Sequence, residues 1–236
     1  MSINASNSTK VDPVWRSLMF VPVNVERYVS KAHTRGADAI QLDIEDSVAI
    51  GDTPAARKLI QEAAESVSQA GADVVVRINQ PLRMAIPDLE ESISPRVSAI
   101  AVTKVDGPGH IRLLAEVIDE LESERGMEIG HTKLIAMVET AAGFLRIENI
   151  AKAHPRVVAM SLGSEDFATS IGTDPISEVL TYPKQQGIIA ARAAGIIPLG
   201  LIGTVADYKD INGMRETMRR SRRFGFQGAS CVPPKL

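Results

Sequence analysis

The chain has a single cysteine, Cys231, among 236 residues. One thiol cannot form an internal disulfide, so the fold has no disulfide framework, and the reducing cytoplasm is the expected location. Long apolar runs are also missing. No stretch of about 18 consecutive apolar residues occurs, so no membrane-spanning helix is expected. The opening residues MSINASNSTKVDP are polar and carry no signal-peptide core. Neither sign of charge dominates: the net charge of −3 gives no hint of nucleic-acid binding. The phosphate-cradling patterns, GxGxxG and the P-loop, are absent. His33, His110, His131 and His154 show no metal-ligand spacing.

What is present is a beat of short apolar segments, most of them ending in a polar or charged residue. They lie at 17–22, 39–45, 73–79, 99–105, 133–139, 157–163, 197–204 and 228–232. The third, DVVVRIN, is continuously apolar and β-branched before its arginine, as in a parallel strand covered on both faces. Helical patterns separate most of them, at about 24–35, 53–71, 81–93, 110–125, 142–153, 175–194 and 207–224. Pro87 weakens the third of these, and Pro183 should kink or break the sixth. After the sixth strand a loop and a short helical turn are expected. Eight such units and a length close to the ~250 residues of one (β/α)8 barrel predict a TIM barrel over 15–236. Residues 1–14 read as a flexible arm. Eight strands are counted but only seven full helices, so the expected barrel lacks the final helix.

A parallel β/α barrel places its chemistry at the C-terminal ends of its strands. Those ends carry Asp43 and Glu45, Arg77, Lys104 and Glu139, with Asp166 just past the sixth strand. Glu139 and Asp166 offer two hard carboxylates on adjacent strands, which suits Mg²⁺ with several retained waters. The same residues could instead cap the helices that follow them. Arg77 can bind a substrate carboxylate through its guanidinium fork, or serve a structural ion pair with Asp43 or Glu45. Asp43, Glu45 and Asp46 crowd three carboxylates at one strand end, as a general base or a hydrated-metal shell requires. Lys104 could neutralise a carboxylate or a phosphate; a Schiff-base role has no nearby support. Arg215, Arg219, Arg220, Arg222 and Arg223 read as a solvated face or subunit contact rather than a phosphate site.

Several of these segments, in this order, resemble the HpcH/HpaI aldolase and citrate lyase superfamily, and its citrate lyase β-subunit-like branch in particular. RSLMFVP, GADAIQLDIEDSV, VRIN, IAMVETAAG, LGSEDFATSIG and FGFQGASCV are similar to that branch's successive motifs, over residues 16–232. The resemblance implies that Glu139 and Asp166 are ligands of Mg²⁺ (or Mn²⁺) and that Arg77 holds the carboxylate of an α-keto acid. It implies that Asp43 and Glu45 order water and the metal shell. Arg16 matches an arginine near the acyl-CoA, and Lys104 is expected on the substrate as well. Asp46 stands where the aldolase branch carries its catalytic histidine, which argues for acyl-CoA chemistry. Thr103 replaces the branch's usual proline before Lys104, and Val232-Pro233-Pro234 replaces Ile-His-Pro. The resemblance also implies a C-terminal segment after the final helix, which the expected barrel lacks as well.

The implied activity is a Mg²⁺-dependent carbon–carbon lyase. It would cleave a 3-hydroxy-acyl-CoA of the citryl-CoA or malyl-CoA type to acetyl-CoA, or a homologue, and an α-keto acid. CoA enters as part of the substrate. The alternatives are a class II aldolase acting on a free 4-hydroxy-2-keto acid, or a catalytically weak binding or regulatory subunit. An uncovered eighth strand predicts a homo-oligomer, and the resemblance implies a trimer or a pair of trimers.

Overall fold

The computed structural model describes residues 13–203 and 210–232. Its strands are β1 (Ser17–Pro22), β2 (Ala39–Asp43), β3 (Asp73–Ile78), β4 (Ala99–Val102), β5 (Lys133–Val138), β6 (Val157–Leu162), β7 (Ile197–Leu199) and β8 (Ala229–Cys231). All pair in parallel, in the order β7-β6-β5-β4-β3-β2-β1-β8. The two edges of this sheet meet. Leu199 bridges Gly228, the Gly200 N–H donates to the Gly228 carbonyl at 2.8 Å, and the Gln227 N–H donates to the Pro198 carbonyl at 3.0 Å. The result is the nearly closed TIM-type barrel expected from the eightfold beat. A Cβ at Gly228 would lie 1.8 Å from the Trp15 carbonyl oxygen, so only glycine lets the chain enter β8 beside β1.

Side chains along each strand alternate between the barrel interior and the helical layer. The interior is filled by Leu18, Ala39, Val75, Ala99, Ala101, Ile135, Met137, Ala159 and Leu199. The alternate residues, such as Ile40, Leu42, Val74, Val76, Ile100 and Leu134, form a second apolar layer with helical residues. Because both faces are buried, the strands read as unbroken apolar runs. Asp43 and Arg77 are neighbours in register across β2 and β3, at the upper rim of the interior.

The helices are α1 (Glu26–Ala32), α2 (Thr53–Arg57), α3 (Ile60–Val67), α4 (Leu82–Ser92), α5 (Pro108–Glu124), α6 (Ala141–Phe144), α7 (Ile147–Ala151), α8 (Ser164–Ile171), α9 (Ser177–Ala194) and α10 (Ile211–Phe224). Two expected helices are each split in two, at α2/α3 and α6/α7. The turn expected after the sixth strand is a full eight-residue helix, α8. Pro183 does not break α9: it lies in the second turn, where it forgoes one hydrogen bond, while Leu180, Ala190 and Ala191 keep the helix packed on the barrel. α4 likewise continues through Pro87. β7 is shorter than its apolar run suggests, and Thr204 lies outside the described residues, as do most of the arm and the first residues of the seventh predicted helix. Among the described residues no helix is long and apolar enough to cross a membrane.

Candidate active site

Five carboxylates and two cations converge at the C-terminal mouth of the barrel. Arg77 ends β3 almost fully buried. Its Nε and one terminal nitrogen donate to the two oxygens of Asp43 at 2.8 and 2.7 Å. The other terminal nitrogen faces Glu45 at 3.1 Å and Asp46 at 3.2 Å. The guanidinium lies 4.9 Å from the centre of the Phe20 ring, which adds a cation–π contact. Burial opposes the charge on Arg77, but Asp43, Glu45 and Asp46 hold its pKa above the ordinary value. Burial would likewise push Asp43 up; Arg77 and Ser47 outweigh it and hold the carboxyl below the usual range. The structural ion pair considered for Arg77 therefore exists. It fixes the orientation of the guanidinium, whose three nitrogens all face carboxylates.

Lys104 follows β4 and bridges the two sides of the mouth. Its Nζ is bonded to Glu45 and lies 3.7 Å from Asp46 and 3.6 Å from Asp166. Burial works against its charge too, yet Glu45, Glu139 and Asp46 raise its pKa. A lysine held protonated is a poor Schiff-base nucleophile. Glu45 is raised, first by burial and then by Asp46, against the opposing charges of Arg77 and Lys104.

Glu139 follows β5 and is 3 % exposed. One oxygen accepts the Lys104 N–H at 2.9 Å. The other rests against the backbone at Gly163, where a Cβ would lie 2.5 Å from it. Burial pushes its pKa to about 7; Lys104 lowers it only partly, and Asp166 and Glu45 push it further up. The helix-capping alternative does not hold for Glu139, because Thr140 caps α6 by accepting the Gly143 N–H at 3.0 Å. Asp166 sits in the first turn of α8, and its half-exposed side chain points toward Lys104.

This chemistry fits a hard divalent cation. Ionised, the five carboxylates outweigh the two cations by three charges. Among the described residues no three His, Cys, Asp or Glu side chains make a ready ligand set. A cation here would rest on Glu139 and Asp166 with water filling the remaining positions, which is the usual habit of Mg²⁺.

Asp43, Glu45, Arg77, Lys104, Glu139 and Asp166 are thus brought together. Arg16 is not. It precedes β1, at the opposite end of the barrel, and its side chain is 75 % exposed and ion-paired with Asp38. The cause lies in strand direction: a residue before a parallel strand emerges at the far mouth from one after it. A cleft of about 1550 Å³ also opens at that far end, lined by Trp15, Arg16, Val158, Ile197 and Phe226, with none of the mouth carboxylates in its lining. Three contributors were not legible in the sequence: Phe20 beneath Arg77, Gly163 against Glu139, and buried Lys184. The last donates to the carbonyls of Ile202 and Gly203 at 3.0 and 2.9 Å, and burial lowers its pKa to about 8. The arginines of α10 are solvent-exposed.

A parallel β/α barrel with an acid-rich, cation-bridged mouth at its strand C-termini defines an enzyme of the TIM-barrel class. Comparison with known proteins places it further. The sequence profile of the HpcH/HpaI aldolase/citrate lyase family matches residues 16–234. The chain belongs to this family and is a lyase. It is 31% identical to the citrate lyase subunit beta of Leuconostoc mesenteroides subsp. cremoris over 226 residues, covering 93% of this chain and 73% of that protein. It is 31% identical to the L-malyl-CoA/beta-methylmalyl-CoA lyase of Rhodobacter capsulatus over 243 residues, covering 93% and 76% of the two chains. Its fold matches the crystal structure of the protein CitE from Mycobacterium tuberculosis in complex with magnesium, acetoacetate and coenzyme A. That match has a TM-score of 0.74 and 25% identity, and covers 95% of this chain and 78% of that one.

Proposed function

We propose that this protein is a Mg²⁺-dependent carbon–carbon lyase acting on a 3-hydroxy-acyl-CoA that bears a second carboxylate, such as citryl-CoA or a malyl-CoA. The observation that carries this reading is Glu139, a buried carboxylate beside Asp166 whose pKa burial pushes to about 7, with no cation among the described residues in contact with it. The named relatives supply the substrate class. Bound between Glu139 and Asp166, Mg²⁺ would act as a Lewis acid on the oxygen that becomes the keto-acid carbonyl. Arg77 binds the keto-acid carboxylate through the terminal nitrogen that faces Glu45 and Asp46, and Asp43 holds the guanidinium in place. Glu45, whose pKa burial raises and which lies at the mouth beside Arg77 and Lys104, is the base that takes the hydroxyl proton, directly or through a water. The carbon–carbon bond then breaks, with its electron pair passing to the acyl-CoA portion.

Turnover of citryl-CoA and malyl-CoA, followed by keto-acid release with and without Mg²⁺, tests the proposal. Metal-dependent cleavage of one of them is expected. Pyruvate formation from free 4-hydroxy-2-keto acids, with the CoA thioesters untouched, would instead establish the aldolase. Keto-acid binding without any turnover would establish a regulatory subunit. We further propose a cytoplasmic homotrimer or pair of trimers; light scattering at micromolar concentration checks the assembly, and a stable monomer would rule it out.

A further inference from the structure

Lys104 is the one described residue other than glycine with a positive φ, at 49°. A side chain in the left-handed region is strained, and glycine would occupy it at no steric cost. The conformation itself has a clear purpose. Thr103 donates to the Ile78 carbonyl at 3.0 Å, the Val105 N–H donates to the Met137 carbonyl at 3.0 Å, and between them the Lys104 N–H is aimed at Glu139. Glycine could do that equally well, so the lysine must be explained by its ammonium.

The ammonium has three donors. Only Glu45 is within hydrogen-bond distance, while Asp46 and Asp166 stand at 3.7 and 3.6 Å. The other described cations around the mouth are more fully committed. Arg77 spends two nitrogens on Asp43, and the third already faces Glu45 and Asp46. The Lys184 ammonium lies on two backbone carbonyls. Lys104, with its side chain 32 % exposed, has donors to spare toward the mouth.

We propose that Lys104 is a catalytic residue whose ammonium donates a hydrogen bond to the acyl-CoA thioester oxygen while that oxygen carries the enolate charge. This rests on the lyase reading and supplies the stabilising group that reading leaves unassigned. A base removes the hydroxyl proton, the carbon–carbon bond breaks, and its electron pair becomes the enolate of the acyl-CoA. The enolate then takes a proton at its α-carbon from solvent or the base, and Lys104 keeps its own proton throughout. A fixed donor placed where negative charge develops is worth roughly 100- to 1,000-fold in turnover.

The test compares Lys104→Met, Lys104→Gly and Lys104→Arg in the full chain. It uses three readouts: cleavage of the acyl-CoA that the wild type accepts, deuterium exchange into the α-carbon of acetyl-CoA, and keto-acid affinity by calorimetry. Met and Gly are expected to lose roughly 100- to 1,000-fold in both cleavage and exchange, with keto-acid affinity within about threefold of wild type. Arg should recover part of both rates. Gly should melt about 2–4 °C above Met, because it relieves the backbone strain without restoring activity. Wild-type exchange in Lys104→Met would overturn the inference alone. So would a keto-acid affinity that falls in step with turnover, since Lys104 would then be a keto-acid ligand. A wild type that neither cleaves nor exchanges any acyl-CoA would overturn the lyase reading, and this inference with it.

Discussion

Two glutamates in this barrel are almost equally hidden and behave in opposite ways. Glu122, on α5, is 0 % exposed, and Glu139, at the mouth, is 3 % exposed. Burial pushes both upward. Glu122 answers with three partners: the N–H groups of Gly130 and Thr132, each at 2.7 Å, and Arg156, one of whose nitrogens donates at 3.0 Å. Its pKa ends below the usual range. Glu139 has one backbone N–H and, among the described residues, no cation in contact, and its pKa rises to about 7. Desolvation is common to both sites. The difference is whether contacting partners supply the compensating charge, as they do at Glu122; on the proposed reading a divalent cation brings it to Glu139.

Substitution should separate the two sites most sharply. Glu139→Gln and Asp166→Asn should each abolish measurable Mg²⁺ binding while leaving the melting temperature unchanged or higher; unchanged Mg²⁺ affinity in both would sink the metal assignment. At the other site, Arg156→Met leaves Glu122 buried and uncompensated and should cost about 3–5 kcal/mol of stability, with Mg²⁺ affinity retained. Chemical denaturation measures that loss, and a change under about 1 kcal/mol would erase the distinction.

Arg77 stands between the two cases, because it is a structural partner of Asp43 and the proposed contact for the substrate carboxylate. Arg77→Ala would strand Asp43, so Arg77→Lys is the cleaner probe. It keeps the charge and loses the fork, and should lower kcat/KM by about 2–3 kcal/mol, or roughly 30- to 150-fold. Unaltered kinetics accompanied by a lower melting temperature would leave Arg77 only its structural role.

The smallest effect is the pH dependence, where the two glutamates differ in sign. The folded pKa of Glu139 is raised from 4.5 to about 7, so the folded state binds the extra proton and metal-free stability falls as pH rises through that window. The full loss is on the order of 3 kcal/mol, shared in practice with neighbouring groups. Glu122 is depressed, so its contribution is present at neutral pH and is lost as pH falls below the ordinary carboxylate range. Denaturation curves between pH 5 and 8 should flatten in Glu139→Gln; an unchanged slope would assign it to other groups.

The strands and the mouth carboxylates were legible because both follow from period and position. An unbroken apolar run followed by a charged residue has one natural place in a parallel barrel, and six predicted residues met there. Arg16 was misplaced by motif resemblance, against the strand-direction rule that located the others. The residues missed act through relations a linear reading does not carry. Gly163 matters because Glu139 lies against it, Phe20 because Arg77 lies over it, and Lys184 because it reaches the carbonyls of Ile202 and Gly203. The ion pair of Arg77 was likewise visible only as one of two alternatives until its partners were in place.

The central claim is that Glu139 awaits a divalent cation, and its protonation near pH 7 makes that claim measurable. Mg²⁺ titrated calorimetrically at pH 7 in two buffers of different ionisation enthalpy reports the protons released on binding. With a pKa of about 7, Glu139 should release about half a proton per Mg²⁺ bound, and Glu139→Gln should neither bind nor release. Mg²⁺ binding with no proton release, or binding that survives in Glu139→Gln, would contradict the account.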